Sequence, residues 1–203
     1  MYKVPELLAP AGNLEKLKVA CVFGADAVYV GTQVFGLRKY NDNFTLPELK
    51  LGIEFAHRRG KKVYVVLNGF AHHQDIDLLK RHVLDVASLS PDAFIISDVG
   101  VMQLVSRYTH IPIHVSTQAS VTNAHTCEFY VSLGAKRIIL AREVSIETCR
   151  DILKNVSTEL EVFVHGAMCA SYSGKCTISN YSSGRDSNRG GCVQSCRHHY
   201  TLT

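Results

Sequence analysis

Four cysteines, Cys169, Cys176, Cys192 and Cys196, crowd the final segment of the chain, separated by six, fifteen and three residues. Thiolates are soft ligands that suit zinc or an iron–sulfur cluster. Structural zinc sites usually pair their cysteines as two tight CxxC-like couples. The Cys169/Cys176 spacing is wider, which tilts the choice toward a cluster without closing it. Glycine and serine fill the intervening loops, in ASYSGKC and SSGRDSNRGGC, so the backbone can bend around a bound centre. The remaining cysteines, Cys21, Cys127 and Cys149, fall in helical patterns and are expected to be small core residues.

The formal charge of +4 is modest, but its placement is uneven. From His165 onward Lys175, Arg185, Arg189 and Arg197 face one acid, Asp186, which puts +3 beside the cysteines, with His198 and His199 next to it. Cations grouped in this way can neutralise phosphates, and Arg185, Arg189 and Arg197 are the candidate phosphate contacts. No stretch approaches the roughly 20 apolar residues of a spanning helix, and MYKVPELLAPAG lacks a signal-peptide core. A cytoplasmic protein that does not enter the membrane is expected, and its reduced thiols argue for metal or catalysis over disulfides.

The elements that position these groups follow from hydrophobic patterning. Short β-branched runs at 6–9, 27–31, 62–68, 93–98, 113–118, 137–142 and 161–165 alternate with amphipathic stretches. Several, such as VYVVLN and FIIS, are apolar without alternation, as in strands buried on both faces of a parallel sheet. Asn13 can cap one helix; Thr45, Pro47 and Glu48 start another with capping-box spacing. Four further helices are expected at about 75–89, 99–108, 123–133 and 145–155. Seven strands and six helices result, and no GxGxxG or GxxxxGK[ST] motif follows any strand. The expected fold is an α/β parallel (β/α) TIM-type barrel, incomplete or just closed, because an eight-stranded barrel typically needs about 250 residues. Residues 1–166 form this barrel and 167–203 the cysteine-rich metal-binding segment. The chain is expected to be part of a longer polypeptide.

In such a barrel the chemistry gathers at the C-terminal strand ends. Asn68, Asp98, Ser116, Gln118, Arg142, Glu143 and His165 lie there, with Arg38 and Asn43 in a loop. Convergence at one mouth favours a shared pocket, and Arg142 has the planar fork that grips a carboxylate. Each has a structural alternative: Asp98 can cap a helix, and Arg142 can pair with Glu143.

The stretch EVFVHGAMCASYSGKCTIS (161–179) resembles the signature of peptidase family U-32, the collagenase-like proteases, at Glu161, Phe163, Gly166, Ala167, Met168, Cys169, Gly174, Cys176 and Ser179. The likeness extends through ELLAPAG, GADAVYVG, GLRKYNDNF, KKVYVVLN, SDVG, HVSTQAS, RIILARE and RDSNRGGCVQSCRHHY. GLR with NDNF, and the later arginine and cysteine pattern, are most similar to the branch of prephenate-dependent tRNA uridine hydroxylases. Other branches hydroxylate ribosomal RNA cytidine or ubiquinone precursors without dioxygen. The resemblance implies a [4Fe-4S] cluster on Cys169, Cys176 and Cys192, with Cys196 as the fourth ligand in this chain or a cysteine beyond it. It also implies tRNA as partner, prephenate as small carboxylate co-substrate, and a further C-terminal domain absent here; self-association is left open. Two other functions compete. Cys169 with His165 could serve a peptidase, although nothing specifies an oriented base or oxyanion hole. A zinc-stabilised barrel could bind RNA without catalysis.

Overall fold

The computed structural model describes residues 4–36, 42–166 and 168–201. Arg38 lies outside the described residues. The strands are β1 (Leu8–Ala11), β2 (Ala27–Gly31), β3 (Lys62–Leu67), β4 (Ala93–Ile96), β5 (Ile113–Val115), β6 (Arg137–Ile139) and β7 (Glu159–Glu161). Between them run α1 (Leu14–Val22), α2 (Leu46–His57), α3 (Ile76–Ser88), α4 (Val99–Tyr108), α5 (Ala124–Ser132) and α6 (Ile146–Asn155), and a short α7 (Ile178–Ser183) lies in the cysteine segment. Every neighbouring strand pair is parallel and the sheet order follows the chain order.

Local chemistry sets the helix starts. Asn13 accepts from Lys16 N at 3.0 Å, Thr45 and Glu48 form the anticipated capping box, and Pro47 sits in its first turn. Both-face burial accounts for the unbroken apolar strands. In β3, Val63, Val65 and Leu67 pack against the helices, while Tyr64 and Val66 join Ala27, Ala93, Ile95 and Ile139 in a second, inner cluster.

The sheet is curled. Neighbouring strands stand about 4.8 Å apart, so five spacings would put β1 about 24 Å from β6 in a flat sheet. Yet Glu6, just before β1, accepts from Arg137 of β6 at 2.6 Å. Arg137 also reaches Glu159 at 2.7 Å and Glu161 at 3.3 Å on β7, and Glu6 binds Lys62 and Tyr64 of β3 at 2.8 and 2.7 Å. This network occupies the N-terminal end of the curl. Among the described residues no pair joins β7 to β1, so the architecture is a seven-stranded half-barrel, the incomplete form of the expected barrel.

Two expected strands are displaced. β1 starts at Leu8 rather than Glu6, whose carboxylate is committed to the network. β7 covers Glu159–Glu161 rather than 161–165, because its register opposes Glu159 to Arg137 and Glu161 to Ile139. The apolar run that suggested a buried strand, Val162, Phe163 and Val164, lies past this pairing and is exposed by 38, 52 and 84%. Among the described residues no helix is long and apolar enough to cross a membrane.

The network carries a pH signature. Burial opposes charge on Glu6, but hydrogen bonds from Arg137, Lys62 and Tyr64 bring its carboxyl down to about 2 from 4.5. Burial, reinforced by Arg137, pushes His114 down to about 4 from 6.5. Both are lowered, so in both cases the unfolded chain takes up a proton before the folded one does. Stability is therefore lost as pH falls, through His114 between about 6.5 and 4 and through Glu6 between about 4.5 and 2. Burial raises the carboxyl of Glu161 in spite of Arg137, so that group contributes with the opposite sign. Arg137→Ala would strand three carboxylates and should lower stability by about 3–5 kcal/mol, measured by urea unfolding at neutral pH. The difference from wild type should shrink as Glu6 protonates; a constant difference down to pH 2 would contradict the assignment.

Candidate active site

The strand ends opposite the Arg137 network converge as the curl requires. Asn68 follows β3 and its Nδ2 lies 3.5 Å from Ser116 Oγ after β5. Ser97, after β4, donates to Asn68 O at 3.0 Å. Asn68 Oδ1 is buried and has no hydrogen-bond partner among the described residues. β5 ends at Val115, and Thr117–Ala119 turn as a 3-10 segment, with Thr117 Oγ1 donating to Leu140 O at 3.0 Å.

The cysteine segment is fastened to this mouth through Ser173, which is fully buried. Its hydroxyl accepts from Arg142 Nε and Nη2, both at 3.2 Å, and donates to Glu143 Oε2 at 3.3 Å. Its backbone N–H donates to Glu143 Oε1 at 3.1 Å, and its carbonyl accepts from Ser120 Oγ. Gly174, at φ +71°, packs so closely that a Cβ would run into the Gln118 carbonyl. A second attachment lies across the mouth. Phe70 N donates to Asn188 O at 2.9 Å, Arg189 binds Asp75 at 2.7 Å and also contacts His72. The segment thus spans from the β3–α3 loop to the loops after β5 and β6.

Within it, a cavity of about 190 Å³ is walled by Cys169, Cys176 and Cys196, together with Ala170, Lys175 and Ile178. Cys192 is half-buried and outside that wall. All seven cysteines are free thiols, and Cys21 and Cys127 are buried in the core as expected. Among the described residues no three His, Cys, Asp or Glu side chains stand close enough to hold a single metal ion. Asn188 Nδ2 donates to Cys176 O at 3.0 Å and Arg197 to Met168 O at 3.1 Å, so backbone contacts brace the wall. A larger, open concavity of about 730 Å³ lies at the other end of the sheet, by Gly134–Lys136 and Val156–Glu159, and contains no cysteine.

The anticipated site residues therefore separate. Asn68 and Ser116 meet, and Arg142 and Glu143 meet on Ser173 rather than on each other. Gln118 contributes its backbone. Asp98 caps α4, accepting from Val101 N at 3.0 Å. His165 is exposed beyond β7, and among the described residues it shares no hydrogen bond with Cys169. Arg189 is committed to Asp75. Ser173, Thr117 and the Arg137 network were not anticipated. The alternation of ELE at 159–161 opposite RII at 137–139 is the one sequence signal that could have revealed the network, since it places both acids on the arginine's face.

The family profile of peptidase family U32 matches residues 12–203. The chain belongs to this family. The U32 chain is 46% identical over 201 residues to a Bacillus subtilis protein named tRNA hydroxylation protein P1, a match that covers 98% of this chain and 48% of the relative. It is 38% identical over 197 residues to the Escherichia coli 23S rRNA 5-hydroxycytidine synthase, covering 97% of this chain and 30% of that protein. The chain thus spans about half the length of the first of these relatives and less of the second. A solved U32 peptidase structure superposes with a TM-score of 0.67 at 17% identity, over 80% of this chain and 69% of that one, which bears on the fold.

Ser173→Ala would take the shared hydroxyl from Arg142 and Glu143 and should cost about 1–3 kcal/mol. Hydrogen exchange should show faster exchange at the amides of 169–176 with little change in β2 to β4. Unaltered protection there would mean that Ser173 does not fasten the segment.

Proposed function

We propose that the full polypeptide is an oxygen-independent RNA hydroxylase that modifies C5 of the tRNA wobble uridine and takes its hydroxyl group from prephenate. The observation that carries this reading is the cysteine-walled cavity fixed across the barrel mouth, in a chain whose relatives are named for hydroxylating tRNA and a ribosomal RNA cytidine. Cys169, Cys176 and Cys196 surround one space, a donor set suited to a [4Fe-4S] cluster, with Cys192 or a cysteine beyond this chain completing it. Such a cluster would supply electron transfer.

This chain's own residues would bind and orient. An anticodon base is already unpaired, so its extrusion toward the mouth is cheap. Lys175, Arg185 and Arg197 supply positive charge for flanking phosphates. Arg142 uses Nε and Nη2 on Ser173, which leaves Nη1 to meet a co-substrate carboxylate, while Asn68 Oδ1 offers an acceptor to a base or co-substrate N–H or O–H. A peptidase would need a base on its thiol, and no such bond joins His165 to Cys169. Zinc in place of iron would give the same fold a purely structural centre, and metal analysis separates the two.

Alanine at Cys169, Cys176 or Cys196 should remove most of the iron and the brown chromophore from anaerobically reconstituted full-length protein. Retention of full iron and sulfide in all three variants would refute the ligand assignment.

For the reaction, nucleosides of tRNA from a deletion strain should lack 5-hydroxyuridine by mass spectrometry. Wild type should restore it, Cys176→Ala should not, and Arg142→Ala should restore little. An unchanged 5-hydroxyuridine level in the deletion strain would exclude the reaction.

A further inference from the structure

Three tyrosines of the cysteine segment hold their side chains in solvent. Tyr172 is 71% exposed, Tyr181 96% and Tyr200 67%. Each adjoins the cavity wall. Tyr172 follows the wall residue Ser171, Tyr181 stands one helical turn from the wall residue Ile178 on α7, and Tyr200 donates its hydroxyl at 2.8 Å to Ser195 O, beside Cys196. Ser195 in turn bonds Ser182 of α7 at 2.6 Å, so the ring of Tyr200 is anchored at its far end while its face stays open. A single exposed aromatic needs no explanation. Three in the one segment that walls the cavity, interleaved with Lys175, Arg185 and Arg197 against the lone acid Asp186, form a combination with a specific use. Cations that track a backbone and aromatic faces on which bases stack are the equipment of single-strand nucleic-acid binding.

We propose that Tyr172, Tyr181 and Tyr200 form a stacking surface that seats the unpaired bases of an RNA loop around the cysteine cavity. This rests on the RNA reading above and adds which chemical form of RNA is recognised and by what. Charge complementarity selects RNA over an apolar partner: the same surface carries net positive charge, and a duplex would hide the base faces that tyrosine needs. The bases flanking the target would stack on the tyrosines while the cations hold the intervening phosphates, which leaves the target base directed at the cavity.

The test is fluorescence anisotropy of a labelled RNA hairpin with an unpaired loop, titrated with the anaerobically purified full-length protein. The same RNA annealed to its complement serves as competitor. The hairpin should bind better than the duplex. Tyr181→Ala and Tyr200→Ala should each weaken it about 5- to 150-fold, the range that loss of one stacked base implies, with iron content unchanged. Tyr181→Phe should retain wild-type affinity, because the ring face and not the hydroxyl makes the contact. Equal binding of hairpin and duplex, or wild-type affinity in both alanine variants, would overturn the proposal. The outcomes are separable from those of the hydroxylase reading. Unaffected binding in variants of a protein whose deletion abolishes 5-hydroxyuridine sinks the stacking surface alone, and weakened hairpin binding in a protein whose deletion leaves that nucleoside unchanged sinks the reaction alone.

Discussion

The curl of the sheet depends on one buried cation. Arg137 is only 10% exposed at its side chain and holds Glu6, Glu159 and Glu161 from both ends of the sheet. Buried charge is costly unless it is paired and hydrogen-bonded, and here the pairing with Glu6 is possible only if β1 swings round toward β6 and β7. Tyr64 and His114 complete the inner face at this end, their rings packed edge-on at 4.7 Å. A flat sheet of the same strands would carry Glu6 away and leave the arginine only Glu159 and Glu161 of the neighbouring β7. The curl in turn brings the opposite strand ends together, so the mouth is a consequence of what happens at the other end of the barrel.

The two ends divide the work. The N-terminal end is ionic and committed: each carboxylate bonded to Arg137 has a fixed place. The C-terminal end sets hydroxyls and amides around Arg142 and Glu143, including an Asn68 Oδ1 without a partner among the described residues, and receives a segment that has little apolar content of its own. That segment is held by serines. Ser179 accepts from Val193 N at 3.1 Å, Ser187 from Ser179 N at 3.2 Å, and Ser173 joins the whole to Arg142 and Glu143. Small hydroxyl side chains can satisfy buried backbone groups in irregular structure without demanding volume, which is why a loop-rich stretch can wall a cavity. The polar mouth and the cysteine segment are therefore one construction, joined where Arg142 and Glu143 bond Ser173.

How much of this was legible beforehand follows from the range of the forces involved. The strand and helix order, the caps at Asn13 and Thr45 and the both-face burial of β3 depend on neighbours within a few residues or on hydrophobic period, and they were readable directly. The cysteine spacing likewise marked the segment that walls the cavity. The ends of β1 and β7 were misplaced because apolar VFV looks like a buried strand, while the true register of β7 is dictated by Arg137, more than twenty residues away in the chain.

The sequence by itself determined the alternation of strands and helices, the concentration of thiols and positive charge in the final segment, and the family. Tertiary structure alone decided that Arg142 and Glu143 bond to Ser173 rather than to each other, that Asp98 serves as a cap and Arg189 as an anchor to Asp75, and that Cys196 lines the cavity while Cys192 does not. Residue type and spacing along a chain fix what a side chain can bond. Which partner it meets across 30, 114 or 131 residues is fixed only when the sheet has curled and the segment has been laid over its mouth.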